Sequence, residues 1–365
     1  MNLVHFGQIL NYGSAYGILT FIKELKRDYF SQLLILANER SWLRHSGEHL
    51  RELFDLGVKI RMIESTFFRE PWNLDSIRLS LRTLRAKNPQ LRHLTHGGFS
   101  ALACTFEETP FLHMCHGFGM HRPSWIEEQD RRGISGARRV IAVSKDIRNQ
   151  LINMGIAEQK IDVAYYPLRP QMKLAPKVGP IREIGMIGNL VPLKGQELGI
   201  DAFRALKGHS NLRLHIYGDG PLRESLEQKV KRDGLIGQVF FHGFRDMKAE
   251  YPKLDMILVP SLVEGLGMVN LEAFEHNLPV CAFASGGIPE IVKDKRSGFL
   301  AAPGNVAELS QCMSAVISEP DVARQMSLIG FQEAQEMFNP HRNCAIVRSG
   351  FEEMLGHHEN IEISF

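Results

Sequence analysis

Residues 260–273 read Pro260-Ser-Leu-Val-Glu264-Gly-Leu-Gly-Met-Val-Asn-Leu-Glu272-Ala273. A turn flanked by glycine carries Glu264, and the helix predicted to start at Met268 carries Glu272. Such a turn leaves main-chain N–H groups free at a helix N-terminus, which is a ready site for a phosphate or another anion. A carboxylate on each side of that site can accept hydrogen bonds from sugar hydroxyls. The stretch therefore predicts an anion site between two acceptors for hydroxyl groups.

Short apolar runs alternate with amphipathic stretches along the whole chain. In the first half this pattern predicts strands over 3–6, 33–37, 58–62, 111–115 and 140–143, with helices over 18–29, 48–56 and 126–132. In the second half it predicts strands over 183–187, 212–217, 239–242, 256–259 and 280–284, with helices over 196–206, 222–232, 268–275 and 306–318. The alternation indicates βαβ units and parallel sheets.

A proline-rich run over 166–180 interrupts the pattern, and its four prolines between 167 and 180 cannot continue a helix or a central strand. We therefore predict a first domain over 1–170, a linker over 171–180 and a second domain over 181–339. The remaining segment, 340–365, is predicted to begin with a helix over 340–355.

Composition excludes several classes of protein. A net charge of +2 over 365 residues argues against nucleic acid as the main partner. Five scattered cysteines show neither CxxC spacing nor a disulfide framework, which favours a reducing cytoplasm. No run approaches the ~20 apolar residues that span a bilayer, and the N-terminus does not read as a signal peptide. The chain has no Asp-x-Asp pair and no His/Cys cluster with metal-ligand spacing, so we expect no metal site.

Two further turns follow predicted strands of the second half. Gly188-Asn189 and Lys194 lie in the turn after the strand at 183–187, where backbone N–H groups and the Lys194 charge can meet a diphosphate. A plain βα turn with a solvent-facing lysine is the alternative. Gly218 lies in Tyr217-Gly-Asp-Gly-Pro221, which is better explained as a tight structural turn than as a ligand contact.

Together these segments resemble the retaining, nucleotide-sugar-dependent glycosyltransferases of family 4, whose Glu-x7-Glu motif matches Glu264 and Glu272. The resemblance is strongest over residues 181–310. It implies an α/β fold of the GT-B type, with two doubly wound Rossmann-like domains facing across a cleft. It also implies that the C-terminal helix crosses back to brace the first domain. At the turn carrying Asn189 the family usually has an arginine, so the second cation of its diphosphate clamp is replaced by a neutral amide.

The resemblance implies roles for particular residues. His116, Glu264 and Lys194 are expected to be catalytic: Lys194 stabilises the leaving diphosphate, Glu264 holds donor-sugar hydroxyls and His116 orients the sugar. Glu272 is expected to hold the ribose hydroxyls. The expected donor-binding set lies at strand ends and helix starts, and it comprises Gly13, Ser14, Gly188, Asn189, Lys194, Gly218, Phe244, Gly265, Leu266, Gly267, Met268, Val269 and Glu272.

Not every match is decisive. Gly13 and Ser14 lie in a Gly-rich segment expected to form a loop before the first helix. For His116, a histidine packed and satisfied by a backbone carbonyl is the alternative. His113 is expected to face the core, and Ser144 to cap the following helix.

The function implied is sugar transfer from a nucleotide-diphosphate sugar to a carbohydrate or lipid-linked acceptor, without a metal or another cofactor. A GT-B sugar-nucleotide epimerase and a non-catalytic nucleotide-sugar-binding subunit are the two alternatives. A basic stretch without Asp or Glu over 76–106 adds one further hypothesis. There Ile77, Leu81 and Leu84 form an apolar helix face. Arg78, Arg82 and Arg85 are expected near the opposite side, where they would contact anionic lipid on the inner membrane face or an anionic acceptor. A solvated helix face is the alternative.

Overall fold

The computed structural model describes residues 2–7, 12–25, 30–37, 51, 54–55, 57, 59–64, 71–87, 92–118, 123–168, 170–173, 177–206 and 211–355. The chain forms two compact units. The first comprises residues 1–117, 121–168 and 338–365, and the second comprises residues 118–120 and 169–337.

The first unit is built on a seven-stranded, all-parallel sheet in the order β3-β2-β1-β4-β5-β6-β7. Its strands are β1 Asn2–Gly7, β2 Phe30–Ala37, β3 Lys59–Glu64, β4 Arg92–Thr95, β5 Phe111–Cys115, β6 Arg139–Ala142 and β7 Ile161–Val163. Its helices are Tyr12–Leu25, Pro71–Lys87, Gly98–Phe106, Ser124–Ser135, Lys145–Asn153 and Pro340–Leu355. The last of these contacts both the Tyr12–Leu25 helix and β5, so the C-terminal helix packs within the first unit.

The second unit repeats the same plan with six parallel strands in the order β10-β9-β8-β11-β12-β13. Its strands are β8 Glu183–Ile187, β9 Arg213–Tyr217, β10 Val239–Gly243, β11 Met256–Val259, β12 Val280–Phe283 and β13 Phe299–Ala301. Its helices are Gln196–Arg204, Arg223–Arg232, Met247–Glu250, Met268–Glu275, Ile288–Ile291, Val306–Ser318 and Pro320–Met337. Strands β11 and β12 are buried along their whole length, as expected for parallel strands covered on both faces.

Each sheet contains a point at which the strand order reverses, between β1 and β4 in the first unit and between β8 and β11 in the second. Ligands of open α/β sheets bind outside the carboxyl ends of the strands at such a point. The two doubly wound Rossmann-like units confirm the predicted α/β fold class.

Some predicted elements were wrong or absent. The first helix begins at Tyr12, so Gly13 and Ser14 lie in its first turn and not in a loop before it. The strand at 92–95 was not predicted, because it buries the polar side chains of His93 and Thr95. The helix at 98–106 was not predicted either, because the six successive residues 99–104 are all buried, so no polar face marks the helical period. The predicted helix over 48–56 falls largely outside the described residues.

Candidate functional site

Two turns meet at the point of strand reversal in the second unit. Strands β8 and β11 are neighbours, so the turns that follow Ile187 and Val259 start side by side. The Leu262 N–H donates to the Leu193 carbonyl at 2.8 Å. Gly195 adopts φ +64°, and a Cβ there would lie 2.0 Å from the Pro260 carbonyl oxygen. Only glycine therefore fits where the two turns touch.

This contact brings together two of the residues that the sequence singled out. The Lys194 Nζ lies 2.5 Å from Glu264 Oε2, and the two side chains are 26% and 14% exposed. A charge-assisted hydrogen bond of this kind fixes both groups at the carboxyl end of the sheet. The Lys194 side chain is therefore paired with Glu264 instead of facing solvent alone.

The backbone of Glu264 is held by a second glycine turn. The Gly287 N–H donates to the Glu264 carbonyl at 3.2 Å. Gly286 adopts φ +55°, and a Cβ there would lie 1.8 Å from the same carbonyl oxygen. These glycines therefore let the chain approach Glu264, which fixes the backbone from which its carboxylate projects.

The helix Met268–Glu275 begins directly after the turn that carries Glu264, and its first helical turn has no acidic residue. Gly267 caps it with φ +85°, and the buried Asn270 side chain donates from Nδ2 to the Gly267 carbonyl at 2.8 Å. Leu266 and Met268 bury their side chains, while Gly265 and Val269 are half-buried. Leu266 and Met268 can therefore offer a ligand only their backbone groups, which lie at the positive end of the helix dipole.

Glu272 lies on the same helix, in a small polar cluster. The Tyr251 hydroxyl donates to Glu272 Oε2. The His276 ring stacks on Tyr251 with centroids 4.4 Å apart and donates from Nδ1 to the Glu272 carbonyl oxygen at 2.7 Å. Burial raises the pKa of Glu272 above its usual value, while the Tyr251 hydrogen bond and the charge of Lys173 act in the opposite direction.

The Gly188–Asn189 turn packs against the turn that follows β9. A Cβ on Gly218, at φ +127°, would lie 2.1 Å from the Gly188 carbonyl oxygen. This approach accounts for Gly218 as a structural glycine. The Asn189 carbonyl accepts a hydrogen bond from Gln196 Nε2 at 2.8 Å, and Phe244 after β10 is 38% exposed.

In the first unit, His116 follows the carboxyl end of β5 and His96 follows that of β4. His116 Nδ1 lies 2.8 Å from the Tyr166 hydroxyl, and its Nε2 lies 3.0 Å from His96 Nδ1. Both ring nitrogens therefore pair with side chains, so the alternative of a histidine satisfied by a backbone carbonyl is wrong. Burial lowers the pKa of His116 to about 4, which keeps the ring neutral at pH 7.

His96 and Tyr166 were missed from the sequence. Two sequence features could have identified them: His96 directly follows a strand, and Tyr166 directly precedes the proline run. The expectations for two neighbours are confirmed: His113 is 2% exposed, and the Ser144 side chain caps its helix by accepting from the Ile147 N–H at 3.1 Å.

The basic helix Pro71–Lys87 buries the predicted apolar face, with Ile77, Leu81 and Leu84 at most 8% exposed. Its arginines do not lie opposite that face. Arg78 and Arg82 each donate to the Glu107 carboxylate at 2.7 Å, and Arg85 donates to the Glu107 carbonyl at 2.7 Å. The predicted placement was wrong because this one acidic residue, just outside the basic stretch, gathers all three guanidinium groups.

Within the described ranges, no three His, Cys, Asp or Glu side chains are grouped as a metal site. None of the helices in the part of the chain that the structure describes is long and apolar enough to cross a membrane. None of the five cysteines forms a disulfide bond.

Two family models together match most of the chain. "Glycosyltransferase Family 4" matches residues 13–170, and "Glycosyl transferases group 1" matches residues 175–332. A 2-deoxystreptamine glucosyltransferase from Streptomyces kanamyceticus is 30% identical over 193 residues, which cover 52% of this chain and 49% of that protein. The amylovoran biosynthesis glycosyltransferase AmsK from Erwinia amylovora is 27% identical over 271 residues, covering 68% and 66%. The chain thus spans about half to two-thirds of the length of these curated relatives.

Solved structures agree on the fold. Anabaena Alr3699/HepE in complex with UDP and glucose superposes with a TM-score of 0.81 at 18% identity, covering 97% of this chain and 100% of that chain. The sucrose-phosphate synthase tll1590 from Thermosynechococcus elongatus gives 0.80 at 17% identity, covering 98% and 100%. At such identities the likeness concerns the fold alone.

Proposed function

We propose that this chain, a homologue of GT-B glycosyltransferases, is itself a retaining glycosyltransferase that moves a sugar from a nucleotide-diphosphate sugar to a carbohydrate or glycolipid acceptor. The observation that carries the proposal is the Lys194–Glu264 pair, at the carboxyl ends of β8 and β11 and beside a helix N-terminus. Complexes of the solved neighbour with UDP and glucose support a nucleotide-sugar donor.

The chemistry at this site follows from its charges. On donor binding, Lys194 exchanges Glu264 for the diphosphate, whose negative charge grows as the bond to the sugar breaks. The backbone N–H groups at the start of the Met268–Glu275 helix add their dipole at the same place. Stabilisation of developing charge by preorganised donors is usually the largest single catalytic contribution.

The two carboxylates then have separate tasks. Glu264, released from Lys194, accepts hydrogen bonds from hydroxyls of the donor sugar. Glu272 accepts from the ribose hydroxyls. His116 is neutral because its pKa is depressed to about 4, and it would orient the sugar by exchanging Tyr166 or His96 for a sugar hydroxyl. Retention arises when the acceptor attacks the face that the diphosphate leaves, with no nucleophile from the enzyme.

We further propose that transfer needs no metal, since Lys194 and backbone dipoles meet the diphosphate charge. The five cysteines, none of which forms a disulfide bond, support a cytoplasmic location. Peripheral contact with anionic lipid through Arg82, whose side chain is 60% exposed, is a separate proposal. Asn189, in place of the usual arginine, favours one rival function, a subunit that binds nucleotide sugars without catalysis.

The test starts with a thermal-shift screen of nucleotide sugars, because a ligand at 100 times its Kd adds about 2.7 kcal/mol of stability. The donor that binds is then incubated with saccharide acceptors, with and without EDTA. We expect transfer with retained anomeric configuration in both conditions, and its loss in Glu264→Ala. Binding without transfer or hydrolysis of the donor would favour the non-catalytic subunit, and loss of transfer in EDTA that Mg²⁺ restores would refute the metal-free mechanism.

A further inference from the structure

One polar contact beside the nucleotide site has no part in the reaction as described above. The Tyr251 side chain is 2% exposed, and its hydroxyl donates to Glu272 Oε2. Tyr251 begins the short 3-10 turn Tyr251–Lys253, on the segment that leads into β11. Glu272 lies on the helix that follows β11. The bond therefore ties the entry segment of the strand to the helix after it.

The direction of this bond is fixed by chemistry. Burial and the nearby Glu272 charge raise the pKa of Tyr251 well above its usual value, so the hydroxyl keeps its proton and donates it. The His276 ring covers one face of the tyrosine, with planes 22° apart, and is itself held by the Glu272 carbonyl. The phenol cannot turn away without breaking this stack.

The consequence for Glu272 is twofold. A buried carboxylate tends to take up a proton, which would convert part of its acceptor capacity into a donor. A hydrogen bond donated to the charged form opposes this and also fixes the plane of the group. An ionised carboxylate has about four acceptor positions, so one bond from Tyr251 leaves room for the two hydroxyls of a ribose.

We infer that Tyr251 is a positioning residue that holds Glu272 as an oriented acceptor for both ribose hydroxyls, and that the pair makes the donor site selective for ribonucleotides over deoxyribonucleotides. This inference rests on the proposed function, in which Glu272 contacts ribose. A site built to bond a hydroxyl rejects an analogue that lacks it, because the buried polar group is left without its partner.

The experiment compares dissociation constants by calorimetry. UDP, ADP and GDP are each measured against their 2′-deoxy and 3′-deoxy forms. For the nucleotide that binds wild type, we expect a ribose preference of roughly 10- to 100-fold, the usual effect of a hydrogen bond to a charged group. In Tyr251→Phe we expect this preference to fall at least about threefold. The ratio is internal to each variant, so a general weakening of the site would leave it unchanged.

Two further variants sharpen the result. Tyr217→Phe is a matched control, because the Tyr217 hydroxyl also donates to a carboxylate of the same unit, Glu250 Oε2, at 3.2 Å. It should keep the wild-type preference, whereas Glu272→Gln should lose most of it. An unchanged preference in Tyr251→Phe, an equal loss in Tyr217→Phe, or a full preference in Glu272→Gln would each overturn the inference while leaving nucleotide binding intact. If no ribonucleotide binds wild type, the proposed function itself fails.

Discussion

At the scale of single residues, the contact between Lys194 and Glu264 has the most direct chemical consequence. Replacing Lys194 with alanine removes the side-chain charge that, in the proposed reaction, acts on the leaving diphosphate. We expect kcat to fall about 10²–10³-fold, as when an oxyanion donor is lost. The free energy of unfolding should change by about 1 kcal/mol or less, because the pair is partly exposed. Steady-state kinetics and chemical denaturation measure the two effects.

A matched control for this variant is Lys253→Ala. Lys253 also pairs with a glutamate of the second unit, Glu250, with Nζ 2.8 Å from Oε1. Because that pair has no part in the proposed reaction, its loss should leave kcat near the wild-type value. A normal kcat in Lys194→Ala, or an equal loss in both variants, would remove Lys194 from the reaction.

The buried His113 predicts how stability depends on pH. Burial lowers its pKa to about 3, and its Nδ1 lies 2.8 Å from Thr95 Oγ1. The unfolded chain takes up this proton near pH 6.5, whereas the folded chain does not until about pH 3. The contribution of neutral His113 to the free energy of unfolding is therefore fully present above about pH 6.5 and is lost as the pH falls below that value.

The non-titrating variant His113→Gln isolates this effect. Between pH 7 and pH 5.5, the free energy of unfolding should fall by roughly 1 kcal/mol more in wild type than in the variant. Urea denaturation at the two pH values measures the difference. Parallel losses in the two proteins would show that His113 takes up its proton in the folded state.

At the scale of secondary-structure elements, the first helix lies directly against Tyr166. A Cβ on Gly17 would lie 2.2 Å from the Tyr166 ring, and the Phe21 ring meets Tyr166 edge-on at 6.4 Å. Gly17→Ala should therefore destabilise the protein by about 1–3 kcal/mol through overpacking. Alanine is intrinsically favoured over glycine in a helix by about 1 kcal/mol, so the sign of the measured change separates the two effects.

A double-mutant cycle tests the cause. In a Tyr166→Ala background the clash is absent, so Gly17→Ala should be neutral or stabilising there. Thermal or urea unfolding of the four proteins gives the coupling. If Gly17→Ala is equally destabilising with and without the Tyr166 ring, the ring is not what excludes a side chain at residue 17.

The secondary-structure elements also show which parts of the fold could be predicted from the sequence and which could not. Strands such as Glu183–Ile187 and Phe111–Cys115 were predicted to the residue, because short, mainly apolar runs between turn signals leave few alternatives. The strand Arg92–Thr95 was not predicted, since His93 and Thr95 are polar yet buried. The Thr95 hydroxyl bonds Leu112 and His113 of the neighbouring strand, and no local sequence pattern identifies those partners. The Lys194–Glu264 bond is of the same kind, because its partners are 70 residues apart and each was explained by a ligand instead.

At the scale of the whole molecule, the arginines around Glu107 carry the proposed contact with anionic lipid. Glu107 offsets part of their charge, and the surrounding arginines hold the pKa of its carboxyl below its usual range. If this cluster contacts a bilayer, each arginine contributes about 1 kcal/mol near the surface, and salt weakens the attraction. Changing Arg78, Arg82 and Arg85 to glutamine should then abolish binding to vesicles that contain anionic lipid.

The opposite change provides the control. Glu107→Gln removes the internal counter-charge and should strengthen vesicle binding, which sedimentation at several salt concentrations measures. Transfer to a small soluble acceptor should persist in both variants. If neither change alters sedimentation, the arginines serve only to fasten the Pro71–Lys87 helix to Glu107. If the triple variant instead loses soluble transfer, they serve the acceptor site or the fold.

The pairing of Lys194 with Glu264 also predicts which molecules would compete for the proposed donor site. In the absence of donor the lysine already has its counter-ion, so a simple anion gains Lys194 only by leaving Glu264 without a partner. In the proposed reaction a nucleotide sugar would replace both partners in one event, with its diphosphate for the lysine and its sugar hydroxyls for the carboxylate. The abundant inorganic phosphate of a cell should therefore compete poorly. The spent nucleotide, which has lost its sugar, should leave readily as the pair closes again behind it.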